Sequence, residues 1–316
     1  MYQWDETSTI DLSRIPLPAA IELLSYDQLL DGFKTRFLQY WESARVSDPT
    51  LPAYDVGSLE TDPAMIVGQA FAYLRTLDRS RVNDAVRAVL APLSAGTDLD
   101  NIAAGRNIER LVVVPANPQT GAPAILEGDA ALLRRYLLSF AKPAAGTRDR
   151  YLLEAWTVWP QSDDKLHGLL DARVNGHAVH GRRGDTDVVI IGPGGRLPTE
   201  GERAAIQGVV SAPHVKPEAV SVAVRAATQR FYSAQLVLEL PSGPDPDLVR
   251  AEAADRVRKT GHARMIVGGE VPEGLIAGAA YGTSVIKVRD LAPVVIEPDP
   301  YTVPILNGIN IAIEVR

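Results

Sequence analysis

The stretch 94–105, SAGTDLDNIAAG, sets Thr97, Asp98, Asp100 and Asn101 behind Gly96, an oxygen-rich group of the kind that can hold a hard cation. A calcium loop between two helices needs oxygen ligands at alternate positions, a glycine at the sixth and a bidentate glutamate at the twelfth. Counted from Asp98, Glu109 fits the twelfth position, but Ala103 stands where the sharp turn needs glycine. Leu99, Ile102 and Ala103 are spaced as on a helix. The stretch therefore reads as a helix–turn–helix corner, with Gly96 as a left-handed cap on the preceding helix and Thr97 or Asp98 capping the next. Its carboxylates are expected to hold N–H groups, and no metal is assigned.

The histidines are His167, His177, His180, His214 and His262. His177 and His180, three apart in HAVH, would share one face of a helix as metal ligands, yet the surrounding NGHAVHGRRG is turn-rich, so turn or surface histidines are expected. The RGD at 183–185 belongs to the same loop and carries no separate assignment. GPGGRLP, 192–198, follows a strand and precedes a helix, where backbone N–H groups can cradle phosphate. It lacks the Gly-Lys-Ser/Thr ending of a nucleotide loop, and Pro193 and Pro198 remove donors, so a plain connector is expected. A G-x-S-x-G elbow is absent, and Asp163–Asp164 are adjacent, so their carboxylates diverge. No catalytic residue and no cofactor is assigned.

The bulk properties point the same way. At 316 residues there is room for two or three domains of roughly 100–200 residues each. Apolar residues at 46% and charged residues at 22% describe a folded, globular chain. A formal charge of −7 argues against general nucleic-acid binding, which needs a positive surface to release counterions. The absence of cysteine removes disulfides, thiolate zinc sites, iron–sulfur clusters and thiol nucleophiles. The acidic opening MYQWDETSTIDLSRIPLP does not read as a secretory signal, and no apolar run is long enough to span a membrane. Synthesis in the cytoplasm is expected.

The first third reads as helical. A helix over 25–43 places Leu29, Leu30, Phe33, Phe37, Leu38 and Trp41 at spacings of three and four, with Ser25 or Asp27 as cap. The clearest helix runs over 63–90, opened by Asp62 as N-cap and Pro63 at the first helical position. Phe71, Leu74, Leu77, Val82 and Val89 fall on one arc, and Asp78 and Arg81 project into it. These last two, three residues apart, read either as a surface pair at the rim or as part of a face that packs on another domain or chain. Phe71, Leu74, Asp78 and Arg81 are the candidate packing or interface residues.

LVVVPANPQTGAPAILE, 111–127, changes character and marks a boundary, followed by helices over 129–141 and 147–159. Strands are expected over 169–174, 187–191, 219–226, 233–240, 284–289 and 310–315, and helices over 199–211, 247–259 and 272–280. Strand, Pro/Gly connector and helix occur twice, in DVVIIGPGGRLPTEGERAAIQGVV and AQLVLELPSGPDPDLVRAEAADRV, a pattern consistent with duplication. The expected fold class is α+β: a helical domain over 1–110, then two small α+β units over 111–226 and 227–316 with short mixed or antiparallel sheets.

In order, Asp62–Pro63, Arg79–Ser80–Arg81–Val82–Asn83–Asp84–Ala85, the corner Ala95–Gly96–Thr97–Asp98–Leu99–Asp100 and the ending Asn107–Ile108–Glu109–Arg110 form a pattern that resembles the J-like baseplate proteins of contractile-tailed phages. Gly96, Asp98, Leu99 and Asp100 carry its most specific element. The resemblance continues more loosely through EGDAALLRRYLLSF, GTRDRYLLEAW and SGPDPDLVRAEAADRV, and departs at the connector 115–126, at EPDPYTVPILNG and at Asn107, which replaces an expected glycine. It implies a structural baseplate wedge component, found also in phage-tail-like bacteriocins, contractile injection systems and type VI secretion. The implied partners are a second copy, a smaller I-like wedge protein, the central hub or spike and the sheath, with no nucleic acid and no membrane span. The resemblance further implies a ring around the hub that changes diameter to release sheath contraction. The alternatives are a tail-assembly adaptor or chaperone absent from the finished particle, and a metal- or phosphate-dependent enzyme using the corner or the glycine loop.

Overall fold

The structure, a computed structural model, describes residues 16–22, 25–55, 59, 61–159 and 169–315. His167 and the Asp163–Asp164 pair lie outside the described residues. The chain divides into two compact units, one up to Gly105 and one from Arg106 onward.

In the first unit, α1 (Tyr26–Ser47) opens with a capping box: the Ser25 side chain accepts from the Gln28 N–H, and the Gln28 side chain accepts from the Ser25 N–H. Helix α2 (Pro63–Ala88) opens as its sequence requires, with Asp62 Oδ1 accepting from the backbone of Ala64 and Met65 and proline at the first helical position. The two form a hairpin in which the approach to α1 meets the end of α2. Asn83 exchanges hydrogen bonds of 3.2 and 2.9 Å with the Glu22 backbone, and Arg79 pairs with the Glu22 carboxylate at 2.9 Å.

The corner differs from its expected capping. Helix α2 ends at Ala88, and turns bonded from Leu90 to Arg87 and from Leu93 and Ser94 to Leu90 follow before α3 (Gly96–Ala104). Gly96 is left-handed, with φ +56°, but it opens α3 instead of closing α2, because these intervening turns have already ended the earlier helix. Extended Ala95 is the N-cap of α3 with no side-chain capping hydrogen bond, so neither Thr97 nor Asp98 takes the expected capping role. Asp98 contributes negative charge to the first turn, where the helix dipole favours it.

The second unit begins with a short antiparallel pair, β1 (Val112–Val114) and β2 (Ile125–Leu126). Helix α4 (Asp129–Leu138) continues into one 3-10 turn, and α5 (Arg148–Val158) is capped by Thr147, whose hydroxyl accepts from the Arg150 N–H. A mixed sheet follows in the order β3 (Asp171–Asn175), β4 (Asp185–Ile191), β5 (Ser221–Ala226), antiparallel between the first two and parallel between the last two. A one-turn helix, α6 (His177–His180), joins β3 to β4, where a turn was expected. Helix α7 (Glu200–Val210) makes the crossover to β5 and carries the Thr199/Glu202 capping box foreseen from its sequence.

Only Ala227 separates β5 from β6 (Thr228–Leu240). Helices α8 (Pro246–Arg264) and α9 (Leu275–Ala280), then β7 (Lys287–Asp290) and β8 (Thr302–Val315), complete a second mixed sheet in the order β7-β6-β8. Strands β6 and β8 run parallel with a bulge between Tyr232 and Ser233. Val249, Ala253 and Val257 of α8 and Ile276 of α9 bury Leu236, Leu238, Leu240 and Ile311 on one face. A second cluster, with Val189 and Ile191 of β4 against Val303 and Ile305 of β8, joins the two sheets. The repeated strand–helix unit is therefore visible twice, each time with its strand central between one parallel and one antiparallel neighbour.

Candidate assembly interface

Helix α2 has two apolar faces of different kinds. Met65, Gly68 and Ala72 are its buried residues, a line of slender side chains that lets α1 approach closely. A Cβ on Gly68 would meet the Phe33 ring at 2.5 Å, so the hairpin closes on the absence of that atom. Phe33, Phe37 and Trp41 stack along α1, and Tyr54 joins the row with centroids 4.9 Å from Phe37 and 5.3 Å from Trp41. The Tyr54 hydroxyl donates to Asp62 Oδ1, which pushes its pKa up to about 12 and ties the row to the N-cap of α2.

The opposite face is largely exposed, although at its rim the Phe71 ring packs against Phe33 of α1 with centroids 5.7 Å apart. Ile66, Val67, Phe71, Tyr73, Leu74, Leu77, Val82 and Val89 are all exposed, Phe71 at 46% and Leu74 at 58%. At ~100° per residue these positions cover about half the helix circumference. Helix α1 contains no fully buried residue at all. A contiguous apolar surface of this kind makes the face the candidate interaction surface of this unit. Asp78 and Arg81 sit within it, as their spacing requires; Asp78 makes its ion pair with Arg75, at 3.8 Å, and not with Arg81.

The family described as Baseplate J-like N-terminal domain matches residues 60–117, which contain α2, α3 and β1. Baseplate protein J of Escherichia phage P2 is 25% identical over 298 residues, covering 90% of this chain and 90% of that protein. The chain is thus similar to J-like baseplate proteins, in residues 60–117 to the family's N-terminal domain and along most of its length to a phage baseplate protein. Among solved structures, the baseplate of the anti-feeding prophage, determined by cryo-EM with 6-fold symmetrisation, is similar at 14% identity and a TM-score of 0.37. That likeness covers 60% of this chain, which spans 43% of the length of the other.

The residues that carry the likeness have distinct places. Leu99 is buried at 1% exposure and Ala103 is fully buried, while Asp98 lies exposed in the first turn of α3. In the second unit, Asn107 adopts φ 54°, the left-handed conformation for which glycine would otherwise serve. Arg110 donates to the Glu127 carbonyl at 2.7 Å and to Asp129 Oδ1 at 2.7 Å, tying the end of the signature to the start of α4. Beside it, buried Arg135 pairs with buried Glu127 and donates to the Glu109 carbonyl at 2.9 Å. Burial pushes the Glu127 carboxyl above its ordinary range, although Arg135 and Arg110 pull it down.

The remaining candidates are occupied by structural work. His180 Nε2 lies 3.2 Å from the Asn175 carbonyl while its Nδ1 accepts from the Arg182 N–H, so the ring staples the β3–β4 connection. In GPGGR the Gly192 N–H bonds to the Arg196 carbonyl, Gln229 donates to the Gly195 carbonyl at 2.6 Å, and Arg196 clamps Glu202 through two bonds. Among the described residues no group of three or more His, Cys, Asp or Glu could hold a metal ion, and no helix is long and apolar enough to cross a membrane.

One buried centre escaped the sequence reading. Asp187, at 2% exposure, accepts from Arg182 at 2.6 Å, Arg225 at 3.0 Å and Tyr301 at 2.8 Å. Burial alone would raise its pKa, but these three donors together hold it below the ordinary carboxylate range. The signal available in the sequence was an acid at the head of an otherwise apolar strand, DVVII, five residues after an arginine.

Proposed function

We propose that this chain is a structural wedge component of a contractile-tail baseplate, made in the bacterial cytoplasm and built into the tail of a phage or phage-tail-like particle. The observation that carries the proposal is the largely exposed apolar face of α2, which lies within the stretch that matches the J-like family. The likeness to a phage baseplate protein along 90% of the chain supports the same reading. The role is mechanical: the chain pairs with a second copy and with a smaller I-like wedge protein, and contacts hub or spike and sheath proteins. The wedges close a ring around the central hub. A closed ring requires two interfaces per chain, and a switch that releases the sheath requires interfaces with two packings of similar energy.

The experiment is particle assembly with Phe71→Glu/Leu74→Glu in place of the natural chain, followed by mass spectrometry of purified particles. The natural chain is expected in the particle, and the variant is expected to remain soluble and be left out, with no sheathed tails formed. Finding the natural chain absent from finished particles would overturn the proposal in favour of an assembly adaptor. Normal incorporation of the variant would remove the face of α2 from the argument.

A further inference from the structure

Among the described residues, the strands at sheet edges are β1 and β2, β3 and β5, and β7 and β8. An edge strand is a template for pairing with another chain, and soluble proteins blunt it with charge or proline. The later edges are blunted in this way: β3 by Asp171 and Arg173, β5 by Arg225, β7 by Lys287, Arg289 and Asp290, and β8 by Pro304 and Glu314. Strands β1 and β2 are not. The stretch 111–126 that contains them holds no charged and no aromatic residue, in a chain that is 22% charged. It stands out from its unit as an arm: every residue from 115 to 126 is exposed, and Val112 with them. Its base is fixed, because Arg110 donates to the Glu127 carbonyl and buried Arg135 pairs with the Glu127 carboxylate. The Glu127 N–H donates to the Leu111 carbonyl at 2.9 Å, which makes these two a hydrogen-bonded pair of the ladder. The next pair, Val112 and Leu126, therefore turns its own N–H and C=O groups outward, one along the outer edge of each strand.

We propose that β1 takes up a third strand, an extended, uncharged and apolar segment of a different baseplate protein; this rests on the reading above that the chain is built into the baseplate. Two strands alone make a marginal sheet, and a third completes it. Backbone pairing supplies the binding, and the exposed side chains of Val112, Ile125 and Leu126 offer the incoming strand an apolar face. Strand β1, with three residues to the two of β2, presents the longer edge. A second copy of this chain fits poorly as the occupant, since its later edge strands carry charge or proline. Two β1 strands set against each other would pair three residues each, where a stable interface takes roughly 20–30 a side. A different protein can enclose the uncharged tip 115–124 as well. A lipid surface does not fit, because the arm has no tryptophan, tyrosine or basic residue to hold it among headgroups.

The test compares the free full chain with purified particles by hydrogen exchange and mass spectrometry. Peptides covering 111–114 are expected to exchange about tenfold or more slowly in the particle than in the free chain. Val112→Pro removes an outward N–H and no ladder bond, so the free chain should unfold near the natural temperature while its incorporation into particles falls about tenfold. Leu126→Pro, on the other edge, is expected to be incorporated normally. Should Val112→Pro fail to fold, Val112→Lys blunts the same edge with charge and carries the same expectation. Because the chain has no cysteine, Ala116→Cys labelled with benzophenone maleimide places a single photo-crosslinker on the arm. The crosslink is expected in an uncharged segment of another particle protein. Unchanged exchange in the particle, normal incorporation of the Val112 variants, or a crosslink to a second copy overturns the proposal. If the natural chain is itself absent from particles, the reading of it as a baseplate component falls too; if it is present with an unprotected arm, only strand addition falls.

Discussion

The Tyr301 hydroxyl donates a 2.8 Å hydrogen bond to Asp187 Oδ2, joining residues 114 positions apart across the junction of the two mixed sheets. Arg182 and Arg225 reach the same carboxylate from the β3–β4 connection and from β5. Asp187 is therefore an ionised group held inside a protein by its donors, and its removal exposes what those donors cost.

Asp187→Asn keeps the shape and deletes the charge, leaving two arginines facing a neutral amide. A loss of about 2–3 kcal/mol is expected, below the usual figure for a broken buried pair because both arginines are partly in water. The folded pKa is lowered, so the stabilisation is present above the unfolded value of 3.8 and is lost as pH falls through the folded value. Urea unfolding across the acid range should show a flatter pH dependence in the variant; an unchanged slope would contradict this account.

Arg135 and Glu127 form a pair buried on both sides, at 3% exposure each. Arg135→Met strands the carboxylate and should cost about 3–5 kcal/mol, whereas Glu127→Leu/Arg135→Met should cost clearly less. Thermal unfolding of the two variants decides the order. The raised folded pKa of Glu127 means that its burial penalty is full above that pKa and is relieved as pH falls toward the unfolded value of 4.5. The Arg135→Met variant should accordingly gain relative stability under mildly acidic conditions.

Gly68→Ala gains up to about 1 kcal/mol of helix propensity yet inserts a methyl 2.5 Å from the Phe33 ring. Overpacking of this kind costs about 1–3 kcal/mol, so net destabilisation of the α1–α2 hairpin is expected. Combining it with Phe33→Leu should recover part of the loss. A stabilised Gly68→Ala protein would show that the ring yields freely.

Tyr54, pushed up to about 12 by the carboxylate it bonds, should be among the last tyrosines to ionise. Absorbance titration of phenolate formation should lose its latest step in Tyr54→Phe and shift that step downward in Asp62→Asn. The second variant also loses the carboxylate that caps α2, so helicity near its start should fall with it.

The sequence by itself determined the local structure wherever a cap or a strong period was present. Asp62–Pro63 fixed the start of α2, Ser25 that of α1, and Thr199 with Glu202 that of α7, because these signals act within one helical turn. The ordered signature from Asp62 to Arg110 also carried the resemblance to J-like baseplate proteins, and the family match falls on residues 60–117. Tertiary structure decided what pairs with what. The first half of β8, TVPILNG, lies outside the strand expected over 310–315, yet Val303, Pro304 and Ile305 are buried there because an edge strand tolerates a proline and β6 supplies a full-length parallel partner. Periodicity marked the large side chains of α2 as one face but could not tell that α1 would take the slender side at Gly68 and Ala72, since close helix approach depends on the absence of atoms. The same limit hid Asp187, whose three donors come from distant points in the chain and meet only when both sheets have formed.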